Sequence, residues 1–407
     1  MRALTRAGIG LVALAASLGA WSGARSPAGA SPLLTVTTGN CAWEVHADPA
    51  LLNVAYPDSG ATYYALLLPG LPGETVTIAG QFPHARYMSF TTYDDTTQPV
   101  DEVDDQSIVA DQGSSNPFLP GADRTSAQRA YHVTVVFGRP PADPPANALY
   151  TTNAGGTRAA SAIVVLYRVY VPDEGVDALG GVPLPRVTVN LAGWSVNLPD
   201  CPSASAPAAG EVNTTVADLA PPPVPVPTAA TSPPVWHKVV GGAIQYFANP
   251  DNEYLSLLVG DRYGRVVVIR GELPTYPATE TGAAVMTTGQ LRYWSLCSNE
   301  QLSTRYWGCL ADYQMVTNAE RQYTVVVSAP AARPPNAVPS CGINWLPWGP
   351  SPDSLLLMRN MLASPSFTES VQAAQVGQER QDMGPYYPSV EYSSSAAVAQ
   401  LGCHPPA

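Results

Sequence analysis

Apolar residues along this 407-residue chain are concentrated in short runs that are rich in β-branched and aromatic side chains and are bounded by Gly, Pro or Asp. The runs of the first half are TVTI (75–78), YHVTVVF (131–137), SAIVVLYRVYV (161–171) and PRVTVNLAGW (185–194). Those of the second half are YLSLLV (254–259), RVVVIR (265–270), YTVVVSA (323–329) and SLLLMRNML (354–362). Such runs are typical of β-strands, so the chain is predicted to be all-β.

The two sets of runs follow the same pattern of fixed residues. Three patterns occur in both halves in the same order: G-x-x-V-x-I-x-G at 73–80 and 264–271, R-x-Y-x-V-x-V at 129–135 and 321–327, and P-D at 57–58 and 250–251. Matches in the same order indicate a tandem duplication. We therefore predict two β-sandwich-like, jelly-roll-like domains.

The stretches RYMS (86–89) and RYWS (292–295) occupy the same place in the two repeats. This recurrence favours a role in the fold over a reaction centre. The second repeat carries an insertion of about fifteen residues, TYPATETGAAVMTTG (275–289), just before its motif, and such an insertion is expected to form a surface loop.

An arginine that faces inward from a strand needs a carboxylate or backbone carbonyl groups as its partner. The strand arginines are Arg86 and Arg168 in the first repeat and Arg292 and Arg359 in the second. The predicted partners are Asp94, Asp173 or Glu174 in the first repeat and Glu300 in the second. The alternative is that Arg86 and Arg168 bind an external anion or carboxylate.

The ends and the middle of the chain differ in composition from the two repeats. Residues 1–30 have a basic start, an apolar stretch too short to span a bilayer and an A-G-A cleavage site, which predicts a secretion signal. Residues 202–235 are rich in Pro and Ala and predict an exposed linker between domains at 31–201 and 236–407. One short helix is predicted near the C-terminus, between Ser366 and Gly377.

Charge and cysteine content restrict the cell compartment and the partners. The formal net charge is −12, or −15 once the three arginines of the predicted signal are removed, which argues against a nucleic-acid partner. No later segment is long and apolar enough to predict a membrane span. The even number of cysteines in an exported chain predicts disulfides, and their spacing favours the pairs Cys41–Cys201, Cys297–Cys309 and Cys341–Cys403.

Three stretches resemble a bacterial and archaeal family of exported β domains of unknown function. They are RYMSFTTYD (86–94), LYRVYVP (166–172) followed by GVPLP (181–185), and NWLP (344–347) leading into LLLMR (355–359). Members of that family carry an RYWSL-x-x-YD strand, an NWLP segment and an LRLY-x-P strand. The resemblance implies a β-sandwich-like domain in an exported or envelope protein, and it supplies no catalytic residues.

The segment from residue 93 to residue 118 is strongly acidic and contains no basic residue. Its carboxylates would repel one another and favour a hard divalent cation, so a Ca²⁺ site is the candidate cofactor site. The candidate ligands are Asp94, Asp95, Asp101, Asp104 and Asp105. The alternatives are a pair of carboxylates that hydrolyses a glycan and a solvated acidic loop.

Other side chains offer weaker signals of binding or catalysis. His84 lies beside Arg86 and is the candidate general base among scattered histidines. Tyr306 and Trp307 lie between Cys297 and Cys309, where a disulfide-tied tip would expose aromatic rings to a ligand.

Taken together, these features predict a secreted or envelope protein without catalytic activity, which binds a glycan or a protein partner through its end loops. The alternative is a secreted glycan-directed hydrolase that uses the carboxylates of residues 93–118.

Overall fold

The predicted runs form strands in the structure, a computed structural model that describes residues 41–50, 53–201, 229–240 and 247–404. All of these residues belong to one compact unit, Pro32–Ala407. The predicted signal at 1–30 and most of the predicted linker, residues 202–228, lie outside the described residues. The predicted all-β class is confirmed.

The first repeat is a sandwich of two five-stranded sheets. One sheet has the order β1 (Val45–Ala47), β2 (Ala61–Pro69), β8 (Ala162–Pro172), β4 (Ala85–Tyr93), β5 (Pro99–Asp104). The other has the order β10 (Trp194–Asn197), β9 (Arg186–Leu191), β3 (Thr75–Gln81), β6 (Ala130–Val136), β7 (Ala148–Tyr150). Neighbouring strands are antiparallel except for β6 and β7, which are parallel.

The second repeat has the same topology, with one strand fewer. Its first sheet has the order β11 (His237–Lys238), β12 (Asn252–Gly260), β18 (Asp353–Met361), β14 (Tyr293–Asn299), β15 (Tyr306–Ala311). Its second sheet has the order β17 (Asn344–Pro347), β16 (Gln322–Ser328), β13 (Val266–Glu272), β19 (Ser389–Ser393). The identical order of the first sheets places the RYMS strand, β4, and the RYWS strand, β14, at equivalent positions.

Each motif strand divides its side chains between two environments, because successive residues of a strand point to opposite faces. Met88 and Phe90 are fully buried in the apolar core of the first sandwich, and Trp294 and Leu296 are buried in that of the second. Each fully buried apolar side chain of this size stabilises the fold by roughly 1.5–3 kcal/mol. The alternate residues of both strands are therefore left for the opposite face of the sheet.

The opposite faces of the two motif-bearing sheets contact each other, so the two sandwiches pack together. We call this contact the junction. The rings of Tyr170 and Tyr293 lie 5.4 Å apart across it, and an apolar cluster draws members from both repeats. That cluster consists of Ala61, Tyr87, Tyr170, Val171, Tyr293, Ala311 and Met361.

The insertion in the second repeat forms a loop, as predicted, but part of it packs against the first repeat. Residues 275–289 reach the first repeat, where the side chain of Met286 is buried in the core. The backbone of Met286 exchanges hydrogen bonds with Gly121 and Ala122, and Arg124 donates its N–H to Ala284. An apolar side chain and a set of paired backbone groups thus tie this segment to the other sandwich.

The position predicted for the short helix near the C-terminus, between Ser366 and Gly377, is wrong. That segment forms turns and bends, and short helices follow at α1 (Glu379–Asp382) and α2 (Ser395–Gln400). The apolar residues of the segment, such as Val371, pack into the second core. Strand β18 holds the segment in place, because Asn360 accepts a hydrogen bond from the Val371 N–H and its carbonyl accepts one from Gln372.

All three predicted disulfides are formed: Cys41–Cys201, Cys297–Cys309 and Cys341–Cys403. Three disulfides indicate an extracytoplasmic protein, because thiols stay reduced in most cytosols. A search of the described residues finds no helix with the length and apolar character needed to cross a membrane.

We expect the two repeats to unfold in a single transition, because the junction and the inserted segment join their cores. Differential scanning calorimetry of the full chain should give equal calorimetric and van't Hoff enthalpies, the signature of two-state unfolding. Two resolved transitions, each with the enthalpy of about half the chain, would contradict this coupling.

Candidate functional site

The arginines of the two motifs bind acids of the opposite repeat. Arg86 is fully buried, and its guanidinium donates to Asp312 at 2.5 Å and to Glu280 at 2.6 Å. In the reverse direction, Arg292 donates to Asp105 at 3.1 Å and to the backbone carbonyl of Arg86 at 3.0 Å. Each repeat therefore supplies one arginine and one aspartate to a reciprocal pair of salt bridges.

Asp105 and Asp312 occupy equivalent positions, each just after the strand that pairs with a motif strand. Asp105 accepts a hydrogen bond from the Met88 N–H and Asp312 accepts one from the Trp294 N–H, both at 3.0 Å. Burial raises the pKa of Asp105 to about 7 even though Arg292 acts in the opposite direction. Burial likewise raises the pKa of Asp312 against the effect of Arg86.

The tyrosines of the two motifs also reach across the junction. Tyr293 donates its hydroxyl to Asp58 at 2.7 Å, and Ser295 of the same motif donates to the other oxygen of Asp58 at 2.6 Å. Tyr87 donates its hydroxyl to Asp251 at 2.7 Å. Asp58 and Asp251 are the aspartates of the P-D pairs that recur in the sequence, so these contacts are equivalent in the two repeats.

The second pair of strand arginines lies in the middle of the two facing sheets. Arg359 donates to the carbonyl of Tyr56 at 2.6 Å and lies 3.4 Å from the carboxylate of Asp58. Arg168 donates to Thr91 at 2.8 Å, to the hydroxyl of Tyr93 and to the carbonyl of Phe247 at 2.6 Å. Both guanidinium groups are thus engaged by groups of the chain itself.

The acids predicted as partners of the strand arginines have other contacts, and these predictions were wrong. Asp173 binds Arg124 at 2.5 Å, and Asp94 accepts hydrogen bonds within its own turn. Glu174 uses its backbone N–H to bind the carbonyl of Glu280, and Glu300 accepts from Ser303 and Ser351. The acidic partners of Arg86 and Arg292 lie 187 to 226 residues away along the chain, in the opposite repeat.

The two equivalent halves of the junction differ in the residues that face each other beside the motif. Thr91 faces Glu102 across β4 and β5, whereas Cys297 faces Cys309 across β14 and β15. The disulfide therefore stands where the first repeat has a threonine and a glutamate. Burial, and then the nearby charge of Asp251, raise the pKa of Glu102 to about 10.

The acidic residues of 93–118 are dispersed along turns and strands. Asp95 accepts from Ser161, Asp101 accepts from the Tyr150 N–H and Asp104 accepts from the Ser107 N–H. Among the described residues, the only metal-competent group of three side chains is Asp58 with Cys297 and Cys309, whose sulfurs are already joined in a disulfide. The Ca²⁺ site at Asp94, Asp95, Asp101, Asp104 and Asp105 stays a prediction.

The remaining candidates have surroundings of their own. His84 is partly buried, and its pKa is lowered by burial and by the nearby cations Arg129 and Arg124. Tyr306 and Trp307 are partly buried in β15, and the backbone of Tyr306 exchanges two hydrogen bonds with the side chain of Asn53. A role of these three residues in binding or catalysis stays a prediction.

Comparisons with known proteins give distant likenesses of fold, of which two are as follows. No family model matches the chain, and no curated protein matches it. An uncharacterized protein from Burkholderia cenocepacia has a TM-score of 0.48 at 15% identity, covering 85% of this chain and 79% of its own. The VPA0106 protein from Vibrio parahaemolyticus has a TM-score of 0.40 at 9% identity, covering 83% of this chain and 90% of its own.

Proposed function

We propose that the chain is a non-catalytic extracytoplasmic binding protein whose partner is an extended segment of another protein. The proposed site is the edge strand β10, and the observation that carries it is the exposure of Trp194, whose relative accessibility is 77%. Large aromatic side chains are enriched at the centres of protein interfaces. We also propose that residues 1–30 direct export to the cell envelope.

Strand β10 offers both of the elements that strand addition requires. Val196 lies two residues from Trp194, on the same face, and is 55% exposed. Among the described residues β10 pairs only with β9, so its outer edge carries free backbone donors and acceptors. An added strand gains affinity from such groups and specificity from alternate side chains. A partner strand with apolar residues at alternate positions fits this edge.

The apolar surface of this edge continues from the core of the first sandwich. Trp194 lies opposite Leu191 and Val196 lies opposite Val189, which packs against the core. On the other face, Ser195 donates a hydrogen bond to Asn190 at 2.8 Å. A continuous apolar strip beside a polar face is the arrangement expected of an interaction surface.

The arrangement of carboxyl groups supports binding over hydrolysis. Glycosidases hold two carboxyl groups roughly 5–5.5 Å or 6.5–9.5 Å apart, so that a sugar or a water molecule fits between them. Asp312, Asp105 and Asp58 instead each lie against an arginine of the chain itself. Asp94, Asp95, Asp101 and Asp104 accept hydrogen bonds from nearby turns and strands.

The motif residues support our inference that both repeats belong to the exported β-domain family that they resemble. Asn344 of the NWLP segment is buried in β17, and its amide donates to the carbonyls of Val316 and Thr324. The arginine, tyrosine and serine of RYWS bind across the junction. Motifs of this kind would be retained because they build the domain.

Replacing Trp194 with Ala should weaken peptide binding at least tenfold, because interface hot spots are worth about 2 kcal/mol or more. The measurement selects ligands for the mature protein from a displayed random peptide library and compares affinities by interferometry. Leu302→Ala is the matched control, because Leu302 is also 77% exposed but lies in the turn between β14 and β15.

A glycan array run in parallel separates the two partner classes. Selected peptides that alternate apolar residues and lose affinity with Trp194→Ala support strand addition. Binding to glycans alone, lost with the same substitution, would overturn the protein partner in favour of a sugar stacked on the indole. Unchanged binding in both assays would reject β10 as the site.

A further inference from the structure

The disulfide Cys297–Cys309 joins two neighbouring strands at the junction, β14 and β15. Cys297 is fully buried, whereas Cys309 is only partly buried on β15, the last strand of its sheet. The two sulfur atoms of this one bond therefore differ in their access to solvent. A reagent in solution reaches the sulfur of Cys309 more readily than that of Cys297.

The buried sulfur accepts a hydrogen bond from an arginine. Arg359 donates its Nη1 to the Sγ of Cys297 at 2.8 Å. The equivalent arginine of the first repeat, Arg168, donates the same nitrogen to the hydroxyl of Thr91 at 2.8 Å. The arginine contact is thus common to both repeats, and in the second repeat its acceptor is a disulfide sulfur.

One carboxylate competes with this sulfur for Arg359. An oxygen of Asp58 lies 3.4 Å from the same Nη1, and the carboxylate reaches within 4.8 Å of both sulfurs. Tyr293 and Ser295 already donate hydrogen bonds to Asp58, and Nη1 lies closer to the sulfur than to the carboxylate. A thiolate formed at Cys297 would therefore have a cation in direct contact with it.

This asymmetry sets the direction of a thiol–disulfide exchange. A cation that contacts a cysteine sulfur favours the thiolate form. Exchange is faster when the leaving sulfur departs as a stabilised thiolate, and it requires that the attacked sulfur be accessible. Cys309 meets the second condition and Cys297 meets the first.

We propose that Cys297–Cys309 is a redox-active disulfide, which an extracytoplasmic dithiol opens by attack at Cys309. A thiolate of the dithiol forms a bond with the Sγ of Cys309 while the S–S bond breaks, and Cys297 leaves with the electron pair as a thiolate held by Arg359. The second thiolate of the reagent then displaces Cys309, which takes a proton from solvent. The dithiol is oxidised to a disulfide by two electrons, and the protein disulfide is reduced by the same two.

Strand pairing keeps the two cysteines opposite each other in the reduced form. Strands β14 and β15 pair on both sides of the disulfide, with Leu296 opposite Leu310 and Ser298 opposite Gly308. The backbone hydrogen bonds of these strands do not depend on the S–S bond, so the reverse exchange can close it again. The inference does not depend on the proposed partner of β10.

The test incubates the folded mature chain with dithiothreitol for increasing times, alkylates the freed thiols and identifies them by peptide mass spectrometry. Cys341–Cys403 is the internal control. Cys403 is exposed, and among the described residues no cationic side chain donates to either sulfur of that bond. Exposure alone would open Cys341–Cys403 first. We expect Cys297–Cys309 to open about tenfold faster than this control.

Glutathione in place of dithiothreitol identifies the attacked sulfur, because a single thiol leaves a mixed disulfide on it. The mixed disulfide is expected on Cys309. Its formation on Cys297 would overturn the proposal, and so would opening of Cys297–Cys309 at the rate of the control disulfide or more slowly. These measurements use the wild type and stand whether or not a variant folds.

Substitution of the two equivalent arginines separates the effect of the sulfur contact from that of buried charge. Arg359→Met should slow the opening of Cys297–Cys309 about tenfold, because the leaving thiolate loses its donor. Arg168→Met is the matched control, since Arg168 is buried at the equivalent place but donates to Thr91, and it should not slow the opening. An unchanged rate in Arg359→Met, or equal slowing in both variants, would overturn the proposal.

Discussion

Replacing Arg86 with Met is expected to lower the free energy of unfolding by about 3–5 kcal/mol, the usual cost of breaking a buried ion pair from one side. Asp312 would remain buried without its cation, and Glu280 would lose the same partner. The side chain of Met can fill much of the space that the Arg86 side chain occupies. The decrease in the free energy of unfolding therefore results mainly from removal of the charge. Urea denaturation followed by tryptophan fluorescence measures it.

A surface salt bridge of the same chain provides the control for Arg86→Met. Arg262 binds Asp353 at 2.7 Å, but these side chains are 47% and 36% exposed. Exposed pairs contribute about 0–1 kcal/mol, so Arg262→Met should have little effect. Equal losses for Arg86→Met and Arg262→Met would show that the reciprocal bridges do not hold the junction together.

The strands and the duplication could be predicted because both depend on local sequence pattern. Runs of β-branched residues define strands wherever they occur, and repeated spacing reveals a repeated topology. The disulfides could be predicted because cysteines are few and their spacing suggests pairs. Nothing local distinguishes residues 366–377 from a helix, since the buried Val371 is held by Asn360 of a strand rather than by helical hydrogen bonds.

The partners of the motif arginines could not be predicted from local pattern. A strand arginine signals that an acid is needed, but Asp94 and Asp173 lie near Arg86 and Arg168 in sequence, whereas Asp312 lies in the other repeat. A signal was nevertheless present. The first repeat places Asp105 after the strand that pairs with RYMS, and the second places Asp312 after the strand that pairs with RYWS. Equivalent acids in a duplicated chain are candidates for reciprocal pairing.

The interpretation of the two motifs as fold elements agrees with these contacts, but the motif side chains act between the repeats and not only within each one. The sequence pattern predicts partners for the strand arginines within their own repeats. The motif arginines bind acids of the opposite repeat instead. The two predicted domains are therefore joined by buried polar contacts at the junction. The residues of the two motifs, which are the most conspicuous in the sequence, therefore build the fold and do not indicate the function. The surface strand β10 has no comparable pattern in the sequence.

Replacing Asp58 with Ala is expected to lower the free energy of unfolding by about 3–5 kcal/mol. Arg359 would remain buried without its counter-charge, and the hydroxyl groups of Tyr293 and Ser295 would lose their acceptor. Each buried polar group that loses its partner costs about 1–3 kcal/mol. The measurement is urea denaturation at pH 7, with Asp143→Ala at an exposed loop position as the reference.

The two equivalent aspartates should respond in opposite ways to the same isosteric change. Asp58→Asn keeps the shape of the side chain but removes the charge that faces Arg359. It should therefore lower the free energy of unfolding nearly as much as Asp58→Ala does. Asp251→Asn instead removes an acid whose pKa is raised by burial and which forms no salt bridge among the described residues, and its amide oxygen can still accept from Tyr87. Asp251→Asn should therefore be neutral or stabilising at pH 8. Equal losses for the two asparagine variants would contradict the difference between an aspartate that lies against an arginine and one that does not.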